Sequence, residues 1–285
     1  MNEKLQGMVL MFLSCLSFSL MQIFVRLSAG EIPLTEQVFF RNLIGFFIAA
    51  AVLRLRGTSL ALDSGYRAAV FFRSLFGFIG LFFLFYASAH AAQADVSLLS
   101  RTSSIWVFIF QGMLGQKITR VQVAVIILCI LGSVIAIDPR FDSAVFPLLC
   151  ACGASMCSGA AYTAIGYCRG HVDSFVVIFY FCLFSTVMAG ILMCREFVVP
   201  SPQTLAALLV IGITAAAGQI TLTYGLQKAT AGVGSIYEYF SVVLSALMGF
   251  CFFGEILSLR TVIGSVLIVA AAVWNYAESR ALPDM

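Results

Sequence analysis

Ten runs of apolar residues follow one another along the chain, at about 6–27, 35–54, 67–89, 93–112, 121–138, 144–167, 173–194, 203–225, 229–251 and 259–277. Each is near the ~20 residues that a helix needs to cross a bilayer. The runs are continuously apolar rather than alternating, which predicts helices and not a barrel. Pro33, Pro139, Pro200, Pro202 and Pro283 fall between or beyond the runs, and Pro147 sits in a first turn, where its missing N–H costs nothing. The connections are short and predict no soluble domain.

Composition sharpens this picture. Hydrophobic residues make up 61% of the 285 and charged residues 10%, with a mean hydropathy of +1.04. A soluble domain carries roughly 25% charged residues, so lipid is the expected solvent. A net charge of +3 without a basic run argues against nucleic acid as a partner. Ser28-Ala29-Gly30 has the look of a signal-peptidase site, but the run before it is too long for a signal peptide, and the first helix is expected to be retained. With a cytoplasmic N-terminus, the inner side holds Lys4, Arg54, Arg56, Arg67, Lys117, Arg120, Arg169, Lys228 and Arg280, against Arg26, Arg140, Arg195 and Arg260 outside. Positive residues concentrate on the cytoplasmic side, so both termini are expected there.

The two halves of the chain resemble each other at an offset of 138 or 139 residues. Phe85-Tyr86-Ala87 lies over Thr223-Tyr224-Gly225, Ser97 over Ser235, and Gly115-Gln116-Lys117-Ile118-Thr119 over Gly254-Glu255-Ile256-Leu257-Ser258. This predicts one repeat over residues 1–140 and another over 141–285. Five spans per repeat is an odd number, so the second copy enters the membrane from the opposite side. The expected fold is an all-α polytopic membrane protein of ten transmembrane helices in two inverted five-helix repeats, an arrangement that places transporter sites near the bilayer midplane.

Phe39-Phe40-Arg41-Asn42 on the second run, Arg73-Ser74-Leu75-Phe76-Gly77 and Phe85-Tyr86-Ala87 on the third, and Phe252-Phe253-Gly254-Glu255 between the last two occur in series. In that order the chain resembles the EamA-type permeases of the bacterial drug/metabolite transporter superfamily along essentially its full length. The resemblance implies a gradient-linked carrier of amino acids or related metabolites in the bacterial plasma (inner) membrane, many such proteins being exporters. Uptake of a metabolite such as S-adenosylmethionine or a riboflavin-like vitamin is the alternative. Such proteins often carry a proline on the fourth helix; this chain reads Ser103-Ser104-Ile105-Trp106, which leaves a kink there without its usual cause. The first repeat also has Gln116 where the second has Glu255.

An ionisable group at membrane depth costs at least ~2.5–3.5 kcal/mol on insertion scales and needs a reason. Arg41 and Arg73 lie near the ends of their runs, and a structural role with the guanidinium reaching the interface is expected of them. Arg101 and Glu238 lie eight or nine residues into theirs, about 12–14 Å deep at ~1.5 Å per residue. They occupy nearly equivalent positions, since Ser100 aligns with Glu238. Ser97, Ser100, Arg101, Ser104 and Gln111 form a polar stripe on one helix, and Gly234, Glu238, Ser241 and Ser245 another on its equivalent. Tyr237 and Tyr239 flank Glu238; Trp106 and Tyr224 are expected as aromatic walls, and Gln22 and Gln219 as cavity-lining or interhelical groups. The candidate substrate site is therefore Arg101, Glu238, Ser97, Ser104, Trp106, Tyr237, Tyr239, Ser241, Gln22 and Gln219.

A guanidinium and a carboxylate in one cavity suit a zwitterion, Arg101 holding a carboxylate and Glu238 an ammonium or sulfonium group. The same pair could instead form a salt bridge between the repeats, and Glu238 could be the site of a coupling proton. The sequence leaves the three open. His90 and His171 are expected at membrane edges, and the nine cysteines in the packing, Cys150, Cys152 and Cys157 having no zinc spacing. No His-Glu-x-x-His pattern or nucleophile–base pair suggests an intramembrane enzyme, and no filter suggests a channel. The expected partners are a small-molecule substrate and lipid, with no cofactor or metal, in a monomer or homodimer.

Overall fold

The computed structural model describes residues 3–27, 31–91, 93–116, 118–141, 144–229, 231–254 and 258–281; Ser28, Ala29, Gly30, Lys117, Glu255, Ile256, Leu257 and Pro283, used above, lie outside them. All regular structure among the described residues is helical: α1 (Glu3–Leu27), α2 (Leu34–Arg56), α3 (Ser64–His90), α4 (Gln93–Arg101), α5 (Ser103–Met113), α6 (Arg120–Ile137), α7 (Val145–Tyr167), α8 (Ser174–Met193), α9 (Pro202–Lys228), α10 (Ala231–Ile236), α11 (Phe240–Phe253) and α12 (Leu259–Ala281). Among the described residues nine helical stretches are long and apolar enough to cross a membrane, with 231–252 counted as one. Eight of the expected runs correspond to single helices whose ends fall within four residues of expectation.

Local chemistry sets those ends. Thr119 and Gln122 form a reciprocal capping box at the start of α6, Asp173 accepts from the Phe175 N–H at the start of α8, and Ser201 caps α9 with Pro202 behind it. α2 and α11 both stop at a left-handed glycine, Gly57 (φ 62°) and Gly254 (φ 65°), a conformation that lets the last carbonyls be satisfied.

The other two runs are broken. The fourth is two helices separated by Thr102, whose hydroxyl donates to the Leu99 carbonyl (2.6 Å) and lies 2.9 Å from Ser155 Oγ on α7. Back-bonding of this kind bends helices, so the break occurs without a proline. The ninth passes from α10 through a 3₁₀ turn, Tyr237–Tyr239, into α11, with the Ser235 and Ser241 hydroxyls donating to the Gly232 and Glu238 carbonyls. The two interruptions fall at equivalent places in the two halves.

Helices of one half pack antiparallel against helices of the other. Along α1 and α9, Gly7 meets Ala229, Met11 meets Gly225 and Phe18 meets Gly218. Along α2 and α8, Phe39 meets Gly190 and Phe46 meets Phe179; along α3 and α7, Tyr66 meets Tyr167 and Tyr86 meets Phe146. α6 and α12 follow suit, from Gly132 against Ile268 to the Arg260–Asp138 ion pair. Exchanging each helix for its equivalent in the other half maps this pairing onto itself. The outside of the bundle is apolar, with residues such as Phe47, Val266 and Ile191 exposed, whereas Arg73, Asn42, Gln111, Gln219, Glu238 and Asn275 are buried. A greasy exterior around a polar interior is what a lipid solvent demands.

The α6–α12 seam gives a direct test of the packing. A β-carbon on Gly264 would collide with the Gly132 carbonyl oxygen and the Ala136 backbone, whereas one on Gly65 meets open space. Gly264→Ala is expected to cost ~1–3 kcal/mol by overpacking and Gly65→Ala to change stability by no more than ~1 kcal/mol, both read from thermal unfolding in detergent. Equal effects would mean that the seam is looser than described.

Candidate functional site

The site is built where the two broken helices face each other. The 3₁₀ turn after α10 puts Glu238 inside the bundle, 9% exposed. Its carboxylate accepts from the Ser103 hydroxyl at 3.4 Å, so the first residue of α5 reaches across to the other half. Cys15 on α1 supports the turn from behind, its thiol donating to the Tyr237 and Glu238 carbonyls at 3.6 and 3.8 Å. Arg101 is the last residue of α4, part-buried, with a buried Nε that has no hydrogen-bond partner. Arg101 and Glu238 act on each other electrostatically, but no direct ion pair forms between them. In this conformation the interhelical salt bridge is not made.

The other candidates divide. Ser104 is fully buried and donates to the Ser235 carbonyl at 2.9 Å, tying α5 to α10. The Ser241 hydroxyl is used within its own helix, on the Glu238 carbonyl. Tyr237 and Tyr239, each 1% exposed, go into separate apolar clusters: Tyr237 into the one that includes Met11, Leu226 and Ala272, stacked on Phe240, and Tyr239 with Val125, Cys129 and Ile268 of α6 and α12. Both are buried, and Tyr239 stays within electrostatic range of Arg101 and Glu238. Trp106 stacks on Phe110, and its β-carbon packs against Gly159 of α7. Gln22 is exposed on α1, about two turns (~10 Å) beyond Cys15. Ser97 is part-buried on α4, its carbonyl accepting from Ser100. Tyr224, expected as a wall, instead accepts a hydrogen bond from Arg56 at 3.2 Å near the helix ends.

The two arginines expected at the interface require a correction. Arg73 is 3% exposed and turned inward, its guanidinium 4.1 Å from the centre of the Phe181 ring on α8, with Nε unpartnered. Arg41, part-buried, lies over the Phe18 ring at 5.7 Å and lines a small cavity with Asn42, Phe181, Cys182 and Gln219. Distance from a helix end does not say which way a side chain turns, and both turn into the bundle. Tyr162 on α7 joins the two regions, interacting electrostatically with Glu238, Arg73, Arg101 and Arg41. The sequence signal for Tyr162 was absent: a lone tyrosine in an apolar run reads as packing. Gln219 belongs with the arginine cavity, and its amide donates to Thr223 at 3.3 Å.

The centre therefore contains Arg41, Arg73, Arg101, Tyr162 and Glu238, from five elements. Among the described residues no group of three metal-ligating side chains comes together. His90 and His171 are exposed at helix ends, stacked on Tyr86 and Tyr66. Cys150 and Cys157 are buried at the α3–α7 seam.

The EamA-like transporter family model matches the chain twice, over residues 5–137 and 145–277. The chain belongs to the EamA-like transporter family. The pseudopaline exporter CntI of Pseudomonas aeruginosa is 30% identical to this transporter over 94% of each chain. An uncharacterized transporter of Helicobacter pylori is 24% identical over 95% of each, and human solute carrier family 35 member G1 is 22% identical over 94% of this chain and 78% of its own. One crystal structure shares the fold at a TM-score of 0.82, covering 98% of this chain and 99% of the other at 21% identity.

Because Ser104 bonds the two broken helices to each other, the transporter's Ser104→Ala variant is expected to lose ~0.6–1.7 kcal/mol of stability and keep the ligand preference of the native protein. Unfolding in detergent with and without ligand measures both. A changed preference would put Ser104 against the cargo.

Proposed function

We propose that this protein is a secondary transporter that exports a small amphoteric organic metabolite, an amino acid or a derivative of one, across the bacterial inner membrane. The observation that carries this reading is the pair Arg101 and Glu238: opposite charges on two broken helices, in electrostatic reach, not neutralised by direct contact. A zwitterion inserted between them satisfies both, its carboxylate on the guanidinium and its cationic group on the carboxylate. The relative named as a pseudopaline exporter supports the direction and the metabolite class.

Transport proceeds by alternating access. Two halves, taken as residues 1–140 and 141–285, rock about the central cluster. The antiparallel run of the equivalent helices α2 and α8, and of α6 and α12, supports an inverted repeat of five spans each, and the positive bias of the N-terminal side supports cytoplasmic termini. The cavity at Arg41 holds only ~10 Å³, about the space of one water, so cargo enters when the halves part. Glu238, the single carboxylate of the cluster, is the group through which a proton gradient would couple.

Inverted membrane vesicles loaded by an imposed gradient measure this with labelled amino acids and S-adenosylmethionine as cargo. Arg101→Gln and Glu238→Gln are each expected to reduce flux at least tenfold while the purified variants still unfold cooperatively. Undiminished flux in either variant would remove that residue from the transport mechanism.

A further inference from the structure

The zwitterion reading leaves two charges unused. Arg41 and Arg73 lie beside the same centre, linked to it through Tyr162, and act on each other electrostatically. Among the described residues neither forms an ion pair with a carboxylate. Their neighbours are an aromatic ring each, Phe18 and Phe181, the Cys182 thiol and the Tyr162 hydroxyl. With Arg101 and Glu238 counted, the cluster carries three guanidiniums against one carboxylate, a formal excess of two positive charges. Uncompensated charge in a low-dielectric interior is costly, and two like charges side by side add to that cost.

The fold nevertheless makes room for them. Gly77 lies one turn beyond Arg73 on α3, and a β-carbon there would collide with the Arg73 guanidinium and the Phe181 ring. The absent side chain leaves room for the guanidinium between its own helix and Phe181 of α8. Arg41 in turn faces the cavity between α2, α8 and α9, where the Asn42 and Gln219 amides and the Phe181 ring complete the lining. Guanidiniums that already rest on aromatic faces still have N–H groups free in their plane, and an anionic oxygen pair is the group that satisfies them.

We propose that Arg41 and Arg73 form a second, anionic subsite, so that the cargo carries at least two carboxylate groups around one cationic centre. This rests on the central site proposed above: Arg101 and Glu238 hold the amino-acid end, and Arg41 and Arg73 hold a further carboxylate. A net negative, amphoteric molecule then matches the excess of positive charge, and a neutral monocarboxylate amino acid leaves two guanidiniums unpaired.

The test uses isosteric probes on the purified full-length protein. L-glutamate is compared with L-glutamine, 2-aminoadipate with its ω-amide, and citrate serves as a probe without an amine, each by calorimetric titration in detergent. Native protein is expected to bind the amino dicarboxylates at least tenfold more tightly than their amides. Arg73→Gln and Arg41→Gln are expected to erase that ratio and keep amide binding, while Arg41→Lys, which retains the charge, keeps part of it. Gly77→Ala, which crowds the Arg73 guanidinium, is expected to act like Arg73→Gln. Equal affinity for acid and amide in the native protein overturns the second subsite, as does a ratio that survives in both arginine variants or an absence of binding by any of the dicarboxylates. Failure of the first reading looks different: Arg101→Gln and Glu238→Gln would keep amide binding, whatever happens to the acid-to-amide ratio.

Discussion

No polar group in the middle of this bundle can rely on water, so each must find its partner inside the protein or wait for a ligand. Most are satisfied at once. Ser14 donates to the Gly218 carbonyl, Ser104 to Ser235, and Asn42 to Val38 one turn earlier in its own helix. Some are not: at the centre the Nε atoms of Arg73 and Arg101 are buried without partners and Glu238 accepts from Ser103 and Tyr162, while side-chain oxygens of Thr35, Glu36 and Gln37 at the start of α2 are also buried without partners. A helix that stops and restarts releases backbone carbonyls, and the hydroxyls of Thr102, Ser235 and Ser241 donate to the Leu99, Gly232 and Glu238 carbonyls there. Among the described residues, the two breaks within apolar runs fall beside Arg101 and Glu238.

Much of the architecture was legible in the sequence because solvent and capping act on the chain directly. Continuous apolar runs gave the spans, and Thr119, Asp173 and Ser201 mark starts that hydrogen bonding then enforces. The centre was half legible. Arg101 and Glu238 stood out because their depth left no route to water. Arg41 and Arg73 did not, because depth along a helix is readable from spacing whereas the direction a side chain turns depends on what the neighbouring helix offers, here Phe18 and Phe181.

Trp106, Tyr237 and Tyr239 show a different limit. Tyr237 and Tyr239 were expected at the site because they flank Glu238 in the chain, and Trp106 as an aromatic wall. The 3₁₀ turn at Tyr237–Tyr239 changes the angular step, so neighbours of Glu238 in the chain turn to different sides. Trp106 goes to α7, Tyr237 to the cluster around α8 and α9, and Tyr239 to the one around α6 and α12. The irregularity that makes the site also hides its composition from a reading along the chain. Tyr162 was missed for a simpler reason, since no charged residue near it in the chain marks it.

Gly77 shows how far a position can matter without a side chain of its own. The Arg73 guanidinium occupies the volume that a methyl group at residue 77 would fill. A substitution there would act through its neighbour, pushing a charge out of its slot while leaving every charged residue of the chain in place. The address of that arginine is therefore written in two residues, one by what it carries and the other by what it lacks.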